Sequence, residues 1–299
     1  VMAAWLCGRS VATYLVAYSS HYEGRLNLPW PCGSCLSHPR FQAVYSRDRL
    51  SADDLSSQLG KPVQFLGNPF MDPVLAPAKP LTPHRRRLAL LPGSRRPELE
   101  HNLLLLLEVI QRLPAPLFSN GELAVELALI RSLSDNELEA LVAPHGWRLL
   151  PTNGALILVN KAHRISLRRG QFASVVQASN LVMSMAGTAA EQAVGLAKPV
   201  LQVAGAGPQF TSSFAEAQRR LLGPTVFCAE GIPGEPSTLD ATARMALQLL
   251  ERSCSDQRLQ RQCQQQAEER LGSMGGAGRM AAAITALLNP QFHSPSTHR

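Results

Sequence analysis

Two turns of this sequence carry residues suited to hold an anion, and the first of them follows a short apolar run. Residues 88–91 predict a buried strand that ends at Pro92-Gly93-Ser94, and a helix is predicted over 97–113. Pro97 fits the first helical turn, where a missing N–H is tolerated. A strand, a glycine turn and a helix N-terminus in that order present unpaired backbone N–H groups. The stretch therefore predicts a phosphate site.

The second turn follows an apolar strand that ends at Met185 and leads into a helix over 188–197. One interpretation needs no ligand: Thr188 caps the helix and Glu191 completes a capping box. The other places both turns at the carboxyl ends of strands in a parallel sheet, the side on which ligands bind. In that position a carboxylate such as Glu191 can accept from two ribose hydroxyls, while the helix end and Gly187 hold a diphosphate.

The charge balance narrows the choice of partner. The formal net charge is +7 and comes almost wholly from arginine, and the first turn is bracketed by Arg85, Arg86, Arg87, Arg95 and Arg96. A basic chain suits nucleic acid, an anionic membrane face or a phosphorylated substrate. Nucleic acid is not expected, because only 5% of the residues are aromatic and no zinc-ligand or aromatic–basic pattern occurs. We therefore expect the basic cluster to serve phosphate.

Other chemical patterns are weaker. Cys32-Gly-Ser-Cys35 has the spacing of redox and zinc pairs, but no second pair and no preceding βαβ unit accompany it, so a turn-rich loop is predicted there. The histidines show no metal-ligand spacing, and no metal is expected. Six scattered cysteines do not make a disulfide framework, and no apolar run is long enough to span a bilayer. A reducing compartment is favoured.

The alternation of strands and helices predicts an α/β protein with a parallel, doubly wound sheet. The predicted strands are 11–18, 41–45, 63–66, 88–91, 123–130, 155–159, 181–185, 199–203 and 225–228, with 147–150 as an extra one. The predicted helices are 51–59, with Ser51 as its cap, then 97–113, 134–143, 170–178, 188–197, 237–250, 256–271 and 278–288.

A proline-rich segment divides the chain, with four prolines in residues 73–83 and no periodicity. The predicted organisation is a partial Rossmann-like domain over 1–76, a linker over 77–84, a complete Rossmann-like domain over 85–288 and a disordered tail over 289–299.

Three stretches carry a resemblance to a known family. Leu-Pro-Gly-Ser-Arg at 91–95, Ala-Gly-Thr-Ala-Ala-Glu-Gln at 186–192 and Gly-Asn-Pro-Phe-Met-Asp at 67–72 resemble lipid-A-disaccharide synthase and its relatives with the GT-B glycosyltransferase fold. The similarity is closest to the synthase-like proteins of cyanobacteria and plastid-bearing organisms, through residues 28–33, 205–211 and 214–218. It implies two Rossmann-like domains of comparable size. The first half of the N-terminal domain, with the catalytic base, is therefore expected upstream of Val1.

The resemblance also implies binding residues. The donor, a UDP-sugar, is expected to contact Gly93, Ser94, Arg95, Gly187, Thr188, Glu191, Gln192, Gln209 and Phe210, with Glu191 on the ribose and Gln209 and Phe210 toward the sugar. The acceptor side is expected to include three polar residues that follow a strand, His21, Tyr22 and Glu23. No cofactor or metal is implied.

The function implied is transfer of a sugar from a UDP-sugar to a lipid-linked or glycolipid acceptor. The expected location is cytoplasmic, at the face of an anionic membrane, or in the plastid of a photosynthetic eukaryote. Two alternatives stay open. A GT-B-fold UDP-sugar epimerase needs no acceptor, and a nucleotide-sugar-binding protein has no transferase activity.

Overall fold

Helices and strands alternate through the computed structural model, which describes residues 1–152, 155–205 and 212–288, with only the backbone for 212–215. The tail predicted over 289–299 lies outside these residues. The strands are β1 (Val11–Leu15), β2 (Phe41–Ser46), β3 (Arg86–Leu91), β4 (Leu123–Leu129), β5 (Arg148–Thr152), β6 (Ala155–Asn160), β7 (His163–Arg169), β8 (Leu181–Ser184), β9 (Val200–Gln202) and β10 (Val226–Cys228).

The α-helices are α1 (Met2–Leu6), α2 (Ser20–Glu23), α3 (Cys32–Ser37), α4 (Arg49–Leu59), α5 (Asp72–Leu75), α6 (Glu98–Gln111), α7 (Pro116–Ser119), α8 (Asp135–Val142), α9 (Phe172–Ala178), α10 (Gly187–Gly195), α11 (Ser212–Leu222), α12 (Pro236–Ser255), α13 (Gln257–Arg270) and α14 (Gly276–Leu288). Short 3-10 turns lie at Pro69–Met71 and Ala143–His145. In the described ranges, none of the helices is long and apolar enough to cross a membrane.

An eight-stranded sheet organises residues 74–267, in the order β10-β9-β8-β3-β4-β7-β6-β5. Every neighbouring pair from β10 to β7 is parallel, whereas β5, β6 and β7 pair antiparallel. This confirms the predicted α/β class with a parallel-dominated, Rossmann-like sheet. The antiparallel edge was not expected.

The antiparallel edge was not predicted because the strand that pairs with β4 is β7, and no strand was predicted over its residues. The predicted strand over 155–159 is β6 and runs antiparallel to its neighbours, and the extra strand predicted over 147–150 corresponds to β5. In β7, Ile165 and Leu167 are buried, and they alternate with the polar residues Arg164, Ser166 and Arg168. That alternation is typical of a strand with one buried face, but two of the three residues on the other face are arginines, and this polar character made the strand hard to recognise.

The main core lies between this sheet and the helices on its faces. Leu99, Leu103, Leu106 and Ile110 recur at helical spacing along α6 and are fully buried, together with apolar residues of β3 and β8. Each such leucine contributes about 1.5–3 kcal/mol relative to an exposed position. This packing fixes α6 behind β3, and so fixes the turn between them.

The first unit contains residues 1–73 together with the described residues from 268 onward, and the second contains residues 74–267. In the first unit β1 and β2 form a parallel pair, and the predicted strand over 63–66 is reduced to a single bridge between Tyr45 and Gln64. Helix α4 begins at Arg49, two residues before the predicted start. Ser51 is not its cap: Asp48, three residues earlier, is the N-cap, and its carboxylate accepts from the Ser51 N–H at 2.7 Å.

The helices α2 and α3 occupy a stretch that was predicted as loop, and both members of the Cys32–Cys35 pair are free thiols. In the described ranges, no group of three or more His, Cys, Asp or Glu side chains is arranged to hold a metal ion.

The division by internal contacts differs from the predicted boundaries, because residues 268–288 group with the first unit rather than with residues 85–267. The Asp72 carboxylate accepts from the N–H groups of Gly275, Gly276 and Ala277 at 2.6, 3.1 and 2.8 Å, and so caps α14. Arg279 on α14 donates to the Leu66 carbonyl at 2.8 Å. These bonds tie the last described helix to the segment over 66–72.

Asp72→Ala is expected to lower the free energy of unfolding of the first unit by about 1–2 kcal/mol, the usual cost of losing a helix N-cap. Burial acts to raise the pKa of Asp72, but hydrogen bonds from Ala277, Gly275 and Gly276 outweigh it and lower the pKa. A lowered folded-state pKa gives stability that is present above the unfolded pKa and is lost as the pH falls through the folded value. Urea unfolding between pH 7 and 3 should show this acid-dependent loss in the wild type and a smaller one in the variant.

Asp53→Ala is the matched control, because Asp53 is exposed on α4. Equal losses in the two variants would contradict the capping role.

Candidate functional site

A cavity of about 750 Å³ opens at the carboxyl ends of four neighbouring parallel strands, β8, β3, β4 and β7. Its lining comes from residues 91–95, Glu98 and Asn102 after β3, residues 128–131 at the end of β4, Arg168, Gly170 and Phe172 around the end of β7, and residues 185–189 and Gln192 after β8. The chain leaves β3 toward β4 on one side and returns to β8 on the other. A crevice at such a change of direction is where open α/β sheets bind ligands.

The turn after β3 forms one wall of the cavity, as the sequence predicted. Gly93 has φ +104°, a backbone conformation that side chains disfavour, and a Cβ there would stand 3.6 Å from the Met185 carbonyl oxygen. Ser94 and Arg95 are exposed at the cavity, and no described side chain caps α6. Glu98, the first residue of α6, lines the cavity, whereas the N–H groups of Leu99 and Glu100 donate to the carbonyls of Arg95 and Pro97 at 2.8 and 3.2 Å.

The turn after β8 forms the opposite wall, and it corrects the predicted capping box. Ala186 is the N-cap of α10, Thr188 is the second residue of the helix, and no side chain in the described ranges caps it. The box fails because Ser184 organises the turn: its Oγ accepts from the Ala186 N–H at 3.2 Å and donates to the Ala186 carbonyl at 3.1 Å. Helix α10 thus begins one residue earlier, at Gly187.

Asn102 holds the two walls together and was not singled out from the sequence. Its side-chain Nδ2 donates to the Pro92 carbonyl at 2.8 Å and lies 3.4 Å from the Met185 carbonyl, and the residue is 4% exposed. The only sequence signal was a polar residue on the apolar face of α6. Because both turns share this amide, the spacing between the two helix N-termini is fixed before any ligand binds.

Of the five arginines that bracket the first turn, only Arg95 lines the cavity, which corrects the expectation of a basic cluster serving phosphate. Arg95 forms no ion pair with the described residues. Arg96 donates to Glu100 and, at 3.0 Å, to Glu137. Hydrogen bonds from Ser134, and then from Arg96, lower the pKa of Glu137 to about 2. Arg85 and Arg86 lie at the amino end of β3, away from the cavity.

Arg87 is buried, and it forms part of a charged triad beneath the cavity. Its Nε lies 3.4 Å from Glu126 Oε1, and Arg168 Nε donates to Glu126 Oε2 at 2.7 Å. Burial lowers the pKa of the Arg87 guanidinium, and Glu126 opposes that shift. Arg168 is the member that reaches the cavity. Glu126 therefore fixes a cationic side chain at the end of β7, at a position that sequence reasoning missed together with the strand.

The structure brings together six of the predicted donor residues: Gly93, Ser94, Arg95, Gly187, Thr188 and Gln192. Glu191 is half-buried on α10 beside this group and is not part of the cavity lining. Gln209 and Phe210 lie outside the described residues.

His21, Tyr22 and Glu23, predicted on the acceptor side, are on α2 in the first unit. Burial and Arg270 lower the pKa of His21, against opposing effects of Asp48 and Glu269.

Solved structures share this fold at low sequence identity. A Listeria monocytogenes protein assigned as a UDP-N-acetylglucosamine 2-epimerase aligns over 97% of this chain and 71% of its own, with a TM-score of 0.54 and 16% identity. The MnaA–UDP co-structure from S. aureus aligns over 100% of this chain and 74% of its own, with a TM-score of 0.51 and 16% identity. A further UDP-N-acetylglucosamine 2-epimerase aligns over 96% and 75%, with a TM-score of 0.50 and 14% identity.

These likenesses define the class of fold, which is an α/β, GT-B-like architecture with a Rossmann-like sheet. No family model matches the chain. The search of curated proteins likewise gave no match.

Proposed function

We propose that this protein is an enzyme that uses a UDP-sugar, and that the cavity at the carboxyl ends of β8, β3, β4 and β7 holds the nucleotide. One observation carries the proposal: two helix N-termini, each without a side-chain cap in the described ranges, open on one cavity with Gly93, Ser94 and Arg95 on one side and Gly187 and Thr188 on the other. Helix N-termini together with Arg95, which has no ion-pair partner among the described residues, suit a diphosphate.

The order of the strands supports a position for the rest of the nucleotide. β7 lies two strand positions from β3, roughly 10 Å at ordinary strand spacing. Phe172 and Ile130 offer apolar surface at that end of the cavity, and Arg168 adds N–H donors. We propose that the base lies toward β7 and the diphosphate between α6 and α10. Glu191, one turn into α10, remains the proposed contact to the ribose, as the resemblance implies, and Gln192 beside it lines the cavity.

The reaction we favour is transfer of the sugar to a lipid-linked or glycolipid acceptor, with contact to an anionic membrane surface. The resemblance of residues 67–72, 91–95 and 186–192 to lipid-A-disaccharide synthase supports it. Arg95 and the two helix dipoles would stabilise the charge that develops on the departing UDP. His21, Tyr22 and Glu23 remain the proposed acceptor-side residues.

The second candidate is epimerisation of the UDP-sugar, favoured by the names of two of the structures described above. The two reactions differ in what they need. An epimerase converts UDP-N-acetylglucosamine without an acceptor, and ¹H NMR detects the C2 epimer. A transferase releases UDP only when an acceptor lipid is supplied. If neither the C2 epimer nor released UDP is detected but UDP binds measurably, the third alternative is supported, namely a nucleotide-sugar-binding protein.

Glu191→Gln is expected to weaken UDP binding roughly tenfold to a hundredfold, about 1.5–3 kcal/mol. The reason is that a carboxylate can accept from both ribose hydroxyls, whereas glutamine offers one acceptor oxygen and an NH₂ group that cannot accept. The capping interpretation no longer competes, because Ala186 is the N-cap. Calorimetric UDP titration and the melting temperature should be measured together.

Glu139→Gln is the control, since Glu139 is an exposed carboxylate on α8. Unchanged UDP affinity in Glu191→Gln removes Glu191 from the site but leaves the proposal for the two helix ends standing. No UDP binding by the wild type would overturn that proposal itself.

A further inference from the structure

A second cleft, of about 670 Å³, lies in the same unit at the other end of β7. It is lined by Gln111, His145, Arg148, Asn160, Lys161 and His163, and we call it the basic cleft. His163 begins β7, whereas Arg168 near its end lines the nucleotide cavity. Five residues of strand separate them by roughly 17 Å. The basic cleft is therefore a separate site.

The charges in the basic cleft are all of one sign. Arg148 and Lys161 are exposed cations, His145 and His163 add two imidazoles, and none of the residues in the described lining is a carboxylate. Arg148 and Lys161 form no ion pair with the rest of the described chain. A concave surface with unneutralised cations concentrates anions.

The polar groups of the wall are fixed by bonds within the protein. The Gln111 and Asn160 side-chain amides donate to the same acceptor, the His145 carbonyl, at 3.1 and 3.4 Å. Gly146 permits this approach, because its φ is +78° and a Cβ there would stand 3.2 Å from Asn160 Nδ2. His163 is buried with its Nε2 2.9 Å from the Leu113 carbonyl. The amides and His163 are thus engaged within the protein, whereas Arg148 and Lys161 have no ion-pair partner among the described residues and are available to a ligand.

Lys161 provides an independent observation. It lies in the two-residue connection between β6 and β7 with φ +51°, a left-handed conformation that glycine or asparagine usually occupies in such turns. No described residue forms a hydrogen bond or ion pair with its ammonium that would offset this cost. The turn requires a positive φ at this position but does not require a lysine, and a strained non-glycine residue of this kind points to a function for its side chain.

We propose that the basic cleft binds a phosphate group, held by Lys161 and Arg148. The shared chemistry is a phosphate monoester, which a small phosphorylated metabolite or the headgroup of phosphatidic acid can supply. The proposal does not depend on nucleotide binding in the other cavity.

The test is an NMR titration of the whole chain with inorganic phosphate, followed at the Gly146 backbone amide so that binding elsewhere is not counted. The wild type should show a saturable shift. Lys161→Gly and Arg148→Gln should each weaken binding by about tenfold or more, the loss of one charge-assisted contact. Lys161→Gly should melt no lower than the wild type, because glycine adopts φ +51° without strain. Arg244→Gln removes an exposed arginine of α12 outside the cleft and should bind as the wild type does.

A parallel sedimentation assay with phosphatidic acid vesicles separates the two sources. Vesicle binding that is lost in Lys161→Gly and Arg148→Gln, without a shift by inorganic phosphate, identifies the lipid headgroup. A shift without vesicle binding identifies a soluble ligand. Neither response in the wild type, or an equal loss in Arg244→Gln, overturns the proposal.

Discussion

Glu126→Ala is expected to lower the free energy of unfolding by about 3–5 kcal/mol, the largest stability effect we predict for one side chain. Glu126 is 2% exposed in the centre of the sheet, and it pairs with Arg87, itself 4% exposed, and with Arg168. Removing the carboxylate leaves two cations without their counter-charge, and the cost is mainly that of burying Arg87 unpaired. Chemical denaturation followed by circular dichroism measures the loss.

Glu139→Ala serves as the control, because it deletes an exposed carboxylate from α8 and should change the free energy of unfolding by less than about 0.5 kcal/mol. Glu126→Gln, which keeps the shape but not the charge, should fall between the two. A loss below about 1 kcal/mol for Glu126→Ala would show that water or a rearranged Arg87 neutralises the site.

Arg95→Ala is expected to weaken UDP binding by about 1.5–3 kcal/mol, or roughly tenfold to more than a hundredfold, with little change in stability. Arg95 is exposed at the cavity and has no ion-pair partner in the described ranges, so its charge is available to a diphosphate. Calorimetric titration at two salt concentrations measures the loss.

Arg96→Ala is the matched control for this prediction. It removes the same charge from the adjacent position, but Arg96 is already engaged with Glu100 and Glu137 and lies outside the cavity lining. UDP affinity should therefore change little. If both variants lose affinity equally, and the loss disappears at high salt, the arginines act through the general positive field and not through a contact.

Much of the cavity was predictable because the signals for it are local. A strand, a glycine turn and a helix are each encoded by neighbouring residues, so Gly93, Ser94 and Gly187 could be placed from short stretches. Local sequence does not show which of the arginines line the cavity. Whether Arg87, Arg95 or Arg96 faces the cavity depends on carboxylates distant in sequence, Glu126 and Glu137, and on which face of the sheet each side chain takes.

The missed residues share a physical cause. Arg168 was overlooked because its strand has a polar face rich in arginine, and only the sheet pairing identifies Ile165 and Leu167 as its buried half. In the sequence Asn102 is only a polar residue within an apolar helix. Its role depends on the contact between two turns that are distant in sequence. Thr188 and Glu191 do have capping-box spacing, yet Ser184 shifts the helix start by organising the turn one residue earlier. Where two local side-chain hydrogen bonds of similar strength compete, as at Ser184 and Thr188, the sequence alone does not tell which one sets the start of the helix.

The cap that Asp72 places on α14 has a consequence for synthesis on the ribosome. The second unit is continuous in the chain, whereas the first is assembled from residues 1–73 and the described residues after 267. During elongation every contact of the second unit can form before α14 has left the exit tunnel. The Asp72 carboxylate can bond its three N–H donors only after the residues of the second unit have been synthesised. Completion of the first unit therefore has to follow the emergence of α14. A premature stop codon after residue 267 would leave the second unit whole and the first without its closing helix.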